Sequence, residues 1–200
     1  MKITKAKNQV DLTDKEVWEL FRSGSNSAFE FIYKEYFDKL YNYGCQFTQD
    51  HSLVEDTIQE LFLELNRRKE YLSATDKILP YLYGAFRRKI VRNRNNQNRF
   101  EKLDVGDTFP LEVSIEAMKI MEEEADSKKE KLANAITKLQ EKDREMIFLF
   151  YYENLSYDEI REIHNFENIK SARNRLYKAL IALRRHMLFG LLITVGLFYP

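Results

Sequence analysis

Apolar residues recur at helical spacing along most of this chain. In its first half the pattern is dense over Ala28, Phe29, Phe31, Ile32, Tyr36, Phe37, Leu40 and Tyr41. Comparable patterns continue over residues 14–99, which we predict to form a compact helical bundle. Six Gly and three Pro among 200 residues also favour long helices over a turn-rich sheet. The predicted fold class is therefore all-α.

The helical pattern weakens in the middle of the chain and then resumes. Residues 100–127 contain Gly106 and Pro110 and carry mainly acidic charge, which predicts an acidic linker. A second small helical domain is predicted over residues 128–187. An apolar tail follows over residues 188–200, and we expect it to pack back on the second domain. Contact of this tail with an inhibitory partner or a membrane surface stays open as an alternative.

The segment from residue 154 to residue 184 has the order of a helix-turn-helix. Ser156 is a helix-capping residue type, and Glu159 three positions later completes a capping box. Asn165 tolerates the backbone conformation of a tight turn. A longer helix then carries an apolar stripe at steps of three and four residues: Ile169, Ala172, Leu176, Ala179, Leu180 and Leu183.

The other faces of this second helix are basic and polar. We predict that they bind DNA, with short polar side chains reading base edges and cations holding phosphates. A protein-binding helical hairpin or a merely solvated charged face would explain the same pattern. The candidate DNA-binding residues of this helix are Lys170, Ser171, Arg173, Asn174, Arg175 and Lys178.

A helix predicted over residues 51–66 leaves one uncharged, apolar side chain on its polar face. Val54, Ile58 and Leu61 belong to the apolar stripe of this helix, as do Phe62 and Leu65. The opposite face carries Asp56, Gln59 and Leu63, and an exposed leucine there favours a binding partner. Single exposed leucines are also common without any function.

The next helix, over residues 80–98, interleaves aromatic residues with cations. Aromatic rings stack on unpaired bases while cations follow the nucleic-acid backbone, which is the combination found in single-strand binders. Phe86 shares a stripe with Leu82 and Ile90 and is assigned to the core. The candidate residues for single-strand binding are Tyr81, Tyr83, Arg87, Arg88, Lys89, Arg92 and Arg94.

Charge is segregated along the chain, although the 32 basic and 32 acidic residues give a net charge of zero. Residues 81–99 contain no acid and residues 50–66 contain no Lys or Arg, which predicts two distinct surfaces. The single cysteine, Cys45, cannot form an internal disulfide. No apolar run follows the N-terminal lysines, so that a secretory signal is not expected. These features predict a cytoplasmic protein.

Catalysis is not expected of this chain. Its three histidines, His51, His164 and His186, are far apart in sequence, and no Gly-rich phosphate loop is present. We therefore expect no enzymatic activity, no small-molecule substrate, no metal and no cofactor.

Taken together, the motifs resemble those of bacterial RNA polymerase sigma factors of the extracytoplasmic-function (ECF) group. Residues 28–33, followed by Tyr36 and Leu40, look like the first helix of that family. Residues 54–62 resemble its Asp-x-x-Gln-x-x-Phe motif. Residues 139–184 are similar to its reader of the minus-35 promoter element. The resemblance covers the chain from about residue 18 to residue 185.

This resemblance implies a function in transcription initiation. Asp56, Gln59, Phe62 and Leu63 would contact the β′ clamp helices of core RNA polymerase, and the second domain would also meet the β flap. The aromatic and basic helix would melt and bind the minus-10 element, while the helix-turn-helix binds the minus-35 element of promoter DNA. An anti-sigma factor is a further candidate partner. The alternative is a free-standing helix-turn-helix regulator that acts without polymerase.

Three finer expectations accompany the resemblance. Arg173 and Arg175 would bind phosphates, whereas Lys170, Ser171 and Asn174 would select bases. Neutralising the glutamates at 122–124 would alter promoter escape more than promoter binding. The residues at 86–93 and 171–174 depart from the common family pattern and resemble a Bacteroidetes-type subgroup.

Overall fold

The structure is a computed structural model that describes residues 12–101 and 126–196, with side chains over 12–97 and 131–187. The described residues contain no strand, so the all-α prediction is confirmed. A 3₁₀ turn spans Lys69–Tyr71, and a π-helical turn spans Phe148–Tyr152. The α-helices are α1 (Asp14–Arg22), α2 (Asn26–Gly44), α3 (His51–Arg68), α4 (Ile78–Glu101), α5 (Asp126–Thr137), α6 (Glu141–Ile147), α7 (Tyr157–His164) and α8 (Ile169–Gly196).

Two compact units are present. Helices α1–α4 belong to the first unit, and α5, α6 and α8 belong to the second. The acidic linker predicted over residues 100–127 falls mostly on residues 102–125, which lie outside the described residues. The domain boundaries therefore stay a prediction.

Short polar side chains start the helices of the first unit. Thr13 and Glu16 form a reciprocal capping box at the start of α1. Ser25 caps α2, and the carboxylate of Asp50 accepts a hydrogen bond from the Leu53 backbone N–H at the start of α3. Each cap satisfies backbone donors that have no partner within the helix.

Aromatic side chains fill the core of the first unit. Trp18 is fully buried, and its indole N–H donates to the Ser73 carbonyl over 2.9 Å. Tyr43 meets the ring of Tyr83 at 4.6 Å between ring centroids. Gly44 lets the end of α2 pack closely against α3, because a Cβ atom at this position would lie 2.5 Å from a methyl carbon of Val54. The core thus depends on the close approach of the end of α2 to α3.

The helix-turn-helix forms as the sequence predicts. Ser156 and Glu159 make the expected capping box, with the Ser156 N–H donating to the Glu159 carboxylate over 2.8 Å. Asn165 adopts a φ of 53°, the left-handed conformation of the turn. The side chain of Asn168 then caps α8 by accepting a hydrogen bond from the Ser171 N–H over 2.9 Å. These local signals fix where each helix begins.

Burial along α8 follows its predicted apolar stripe only in part. Ala172, Leu176 and Ala179 are buried, whereas Leu180 and Leu183 are half-buried and Ile169 is exposed. Among the side chains that the structure describes, Ala179 is the last fully buried residue of α8.

The backbone helix α8 continues to Gly196. The apolar tail predicted over residues 188–200 is thus helical as far as Gly196, and its bounds stay a prediction. Whether it packs back on the second unit lies outside the described side chains. Among the described residues, no helix is long and apolar enough to cross a membrane.

Candidate functional site

An apolar groove lies on the surface of α2 and α3. It encloses about 460 Å³ and is lined by Phe29, Glu30, Tyr33, Gln59, Phe62 and Leu63. Leu63 is 72% exposed although it is one of the larger apolar residues. Asp56 and Gln59 are also exposed, as the helical pattern predicts, but Asp56 does not line the groove.

Phe62 forms the floor of this groove and is only 3% exposed. Its ring meets Tyr33 edge-on at 4.8 Å and Phe29 at 6.0 Å between centroids. The aromatic rings hold one another in place, so that the groove is a preformed surface. A partner would therefore touch Leu63 and Gln59 first and reach Phe62 only at the base of the groove.

A second cavity, the basic pocket, lies between α3, α4 and the turn that joins them. It encloses about 470 Å³. Tyr71 in the turn is 83% exposed. Tyr81 packs on Trp18 at 4.9 Å between centroids, and burial raises the pKa of its hydroxyl. The lining residues that carry charge are Glu64, Arg68, Arg88, Lys89 and Arg92.

The sequence analysis missed Arg68 and Tyr71 as pocket residues. Both lie just before or within the turn after α3, outside the predicted aromatic and basic helix. One sequence signal could have indicated these two residues, because the turn connects two helices that both carry candidate contact residues. Helical spacing alone does not show which loop residues close over a neighbouring helix.

Tyr83 and Arg94, both predicted nucleic-acid residues of α4, donate hydrogen bonds to backbone carbonyls. Tyr83 is 0% exposed and donates a hydrogen bond to the Lys39 carbonyl, so it is not available to stack on a base. This corrects its assignment, since the side of α4 that bears Tyr83 faces the core. Arg94 is half-buried and donates to the Phe47 carbonyl over 3.1 Å. Arg87 is half-buried, whereas Arg88 is exposed.

Lys89 joins the acidic helix α3 to the basic helix α4. Its Nζ atom lies 2.8 Å from Glu60 and 2.6 Å from Glu64, and its side chain is 11% exposed. Arg92 also contacts Glu60, at 3.1 Å. The prediction that the acidic and basic segments form distinct surfaces is therefore wrong in part, because their charges pair between the two helices.

The pKa values of this cluster follow from its hydrogen bonds. Burial disfavours the charged form of Lys89, but the hydrogen bonds to Glu60 and Glu64 outweigh it and raise the pKa of the lysine. Hydrogen bonds from Lys89 and Asn93 lower the pKa of Glu60, and a hydrogen bond from Lys89 lowers that of Glu64. All three groups are thus held in their charged forms.

The exposed face of α8 presents most of the residues predicted to read DNA. Lys170, Arg173, Asn174 and Lys178 are exposed, and Ser171 is half-buried behind its Asn168 cap. The guanidinium of Arg173 lies 5.4 Å from the centre of the Tyr157 ring. That contact places Arg173 beside the first residue of α7.

Arg175 differs from its neighbours on α8. Its guanidinium forms an ion pair with Asp143 of α6 at 2.9 Å. Asp143 is largely buried, so that its carboxylate requires this cation. Arg175 thus links α8 to α6, and its predicted phosphate contact stays a prediction.

Comparisons with known proteins agree with this architecture. No family model matches the chain. The ECF RNA polymerase sigma factor SigM of Bacillus subtilis (strain 168) is 28% identical over 159 residues, which are 76% of this chain and 92% of SigM. The chain is therefore a homologue of an ECF RNA polymerase sigma factor.

Two solved structures share the fold. CnrH, solved in complex with the cytosolic domain of CnrY, matches with a TM-score of 0.59 and 16% identity, over 86% of this chain and 95% of CnrH. The sigma factor RpoE from Bartonella quintana, solved with the anti-sigma factor NepR, matches with a TM-score of 0.56 and 14% identity, over 80% and 96%. At 16% and 14% sequence identity, these structural similarities show the shared all-α fold alone.

Proposed function

We propose that this chain is a sigma factor of the ECF group, which binds core RNA polymerase and directs promoter recognition and the initiation of transcription. One observation carries the proposal. The chain combines a helix-turn-helix with a preformed apolar groove on α3 beside the basic pocket. A regulator that binds duplex DNA without polymerase needs only the helix-turn-helix. The polymerase performs the chemistry, and this chain contributes binding.

The apolar groove is the proposed docking surface for the β′ clamp helices. An exposed leucine beside an aromatic floor offers apolar area that is released from water on binding. Asp56 and Gln59 flank that area with polar groups. We assign Leu63 and Gln59 to direct contact, Phe62 to the floor of the groove, and Asp56 to the polar rim.

The basic pocket is the proposed site for an unstacked base of the minus-10 element. Extruding a base costs a few kcal/mol. Stacking on an aromatic side chain returns about 1–3 kcal/mol per base. Tyr71 and Tyr81 supply the rings, while Arg68, Arg88 and Arg92 supply positive charge around them.

The exposed face of α8 is the proposed reader of the minus-35 element. Lys170, Ser171 and Asn174 select bases, while Arg173 and Lys178 hold phosphates. Arg175 keeps α8 in position through Asp143. From the departures at residues 86–93 and 171–174 we also propose a Bacteroidetes-type subgroup. Because a relative has been solved with an anti-sigma factor, we also include an anti-sigma factor among the proposed partners.

Run-off transcription tests this function. Core RNA polymerase without its own sigma factor is supplied with the wild-type chain or with the Asp56→Ala, Gln59→Ala double variant on fragments of the host genome. We expect specific start sites with the wild type and their loss with the variant. Asp38→Ala with Asn42→Ala is the matched control, since both residues are exposed and lie outside the groove.

Two other outcomes of this transcription experiment would change the assignment. Tight sequence-specific DNA binding by the chain alone, without polymerase-dependent initiation, would identify a free-standing helix-turn-helix regulator. Start sites that persist in the groove variant would remove the assigned docking surface while keeping the sigma function.

A further inference from the structure

The basic pocket of the first unit has the size and the lining of a small-molecule site. Its volume of about 470 Å³ lies within the range of about 300–1,000 Å³ that such sites occupy. Leu61, Leu65 and Leu72 line it with apolar side chains, and all three are buried. Apolar walls that carry a few polar groups are the usual composition of a ligand site. The pocket can therefore hold a ligand whether or not that ligand belongs to a DNA strand.

Two tyrosines give the pocket flat aromatic surfaces. Tyr81 is half-buried, and its ring is already held against Trp18. Tyr71 is 83% exposed, and no ring among the described side chains stacks on it. The faces of every nucleobase can stack on a free aromatic ring of this kind. Tyr71 thus favours a ligand that contains a nucleobase.

The cations of the pocket favour a ligand that also contains phosphate. Among the described residues that line the pocket, Glu64 alone carries negative charge. Glu64 is shared between Lys89 at 2.6 Å and Arg68 at 3.3 Å. Arg88 is exposed and forms no ion pair within the described part of the chain. Positive charge therefore remains in excess, and a phosphate can satisfy it, since arginine binds phosphate oxygens through paired N–H groups.

This combination of an aromatic ring with grouped cations fits a free nucleotide especially well. A DNA strand carries one phosphate for each base. In a nucleoside triphosphate several phosphates follow one another on a single base. Arg68, Arg88 and Arg92 line the same cavity, and a cavity lined by one sign of charge concentrates its attraction on such a group.

We propose that the basic pocket also binds a free nucleoside triphosphate, with its base against Tyr71 and its phosphates at Arg68 and Arg88. The binding site depends only on the geometry of the first unit. Its regulatory consequence rests on the proposed function, because a bound nucleotide would occupy the place of the unstacked minus-10 base. The nucleotide and the promoter strand would then exclude each other, and initiation by this chain would fall as the concentration of free nucleotide rises.

Isothermal titration calorimetry of the full chain with GTP, in buffer that contains magnesium, tests the proposal. We expect one site with a dissociation constant between about 1 μM and 1 mM, the range of physiological substrate concentrations. ATP should bind about as well, because aromatic stacking tolerates every base. Guanosine lacks the phosphates and inorganic triphosphate lacks the base, so that each should bind at least about fivefold more weakly than GTP. The fluorescence of Trp18, whose ring packs on the pocket residue Tyr81, gives a second signal.

Two variants locate the site of binding. Tyr71→Ala should weaken GTP binding about fivefold to a hundredfold, the loss expected from one base–aromatic stack, whereas Tyr71→Phe should retain it. Arg88→Ala should weaken GTP binding about tenfold, because a hydrogen bond to a charged phosphate is lost, and should leave guanosine binding unchanged. The matched controls are Tyr151→Ala and Arg67→Ala. Tyr151 and Arg67 are exposed and lie outside the pocket, so that both controls should bind GTP as the wild type does.

A competition experiment tests the regulatory consequence. GTP should displace a fluorescently labelled single strand of the minus-10 element from the wild-type chain, and inorganic triphosphate should displace it less well. Simultaneous binding of GTP and the strand would overturn the competition.

Three results would overturn the nucleotide site itself. The first is the absence of both heat and a change in Trp18 fluorescence at millimolar GTP. The second is an equal loss of binding in Arg67→Ala and Arg88→Ala, which would reduce the attraction to net charge. The third is inorganic triphosphate that binds as tightly as GTP, which would exclude Tyr71 from the site.

The calorimetry uses the chain without polymerase, so that its outcome is separate from that of the run-off experiment. Start sites without GTP binding would keep the sigma function and overturn only the nucleotide site. GTP binding without polymerase-dependent start sites would keep the nucleotide site and overturn the proposed function.

Discussion

Lys89 shows how a single residue changes its role once its neighbours are known. On the sequence it belongs to a run of cations suited to a nucleic-acid backbone. In the fold it sits between Glu60 and Glu64 with little exposure. Its charge is therefore already matched within the protein, and DNA would have to compete with two carboxylates for it. The more exposed cation Arg88 is better placed to meet phosphates.

We expect Lys89→Met to destabilise the first unit by about 1–3 kcal/mol, because two nearby carboxylates lose their shared cation. The sole tryptophan, Trp18, is buried in this unit, so that its fluorescence during urea unfolding reports the change. Lys34→Met is the matched control. Lys34 also forms an ion pair, with Glu30 at 2.6 Å, but both side chains are largely exposed and the cost should stay below about 1 kcal/mol. Equal losses in the two variants would contradict the role assigned to Lys89.

The residue scale also shows what helical spacing can and cannot predict. Spacing correctly placed Phe86 in the core and Asp56, Gln59 and Leu63 on an exposed face. It did not place Tyr83, because an aromatic residue beside an arginine cluster fits either a core or a stacking surface. The contact that decides, with Tyr43 of α2, joins residues forty positions apart and leaves no local signal in the sequence.

At the scale of elements, helix starts were predictable and helix connections were not. The capping residue Ser156 and the turn residue Asn165 act within a few positions of themselves, so that the sequence shows their pattern directly. The π-helical turn Phe148–Tyr152 has no such pattern. Neither has the ion pair between Asp143 and Arg175, which depends on how α6 and α8 pack.

The Asp143–Arg175 pair leads to a contrast between two cations of one helix. We expect Arg175→Ala to weaken the packing of α8, with faster amide hydrogen exchange from residues 172–179. Promoter binding should fall for all sequences, with little change in its dependence on salt. Lys178→Ala removes an exposed cation instead, so that the slope of log affinity against log salt should decrease by about 0.9 while exchange stays unchanged.

If Arg175→Ala instead reduces the salt slope and leaves amide hydrogen exchange unchanged, Arg175 binds a phosphate as the sequence predicts. Both variants are measured on the same promoter fragment, so that each variant serves as the control for the other.

At the scale of the whole molecule, docking and melting are assigned to different cavities of the first unit. The apolar groove would hold polymerase, and the basic pocket would hold an unstacked base. The two cavities share helix α3 but not a single lining residue. Their contributions should therefore be separable by substitution.

An artificially melted promoter separates them. Tyr71→Ala should reduce initiation from duplex promoter about fivefold to a hundredfold, the loss expected from one base–aromatic stack. On a template whose minus-10 region is already unpaired, the melting cost is removed and most of this loss should be recovered. The groove variant Asp56→Ala with Gln59→Ala should stay inactive on both templates, because it fails before melting. Tyr71→Phe keeps the ring and should behave as wild type. A Tyr71→Ala defect of equal size on both templates would mean that Tyr71 acts in docking or folding, and the basic pocket would lose its assigned role in capturing the base.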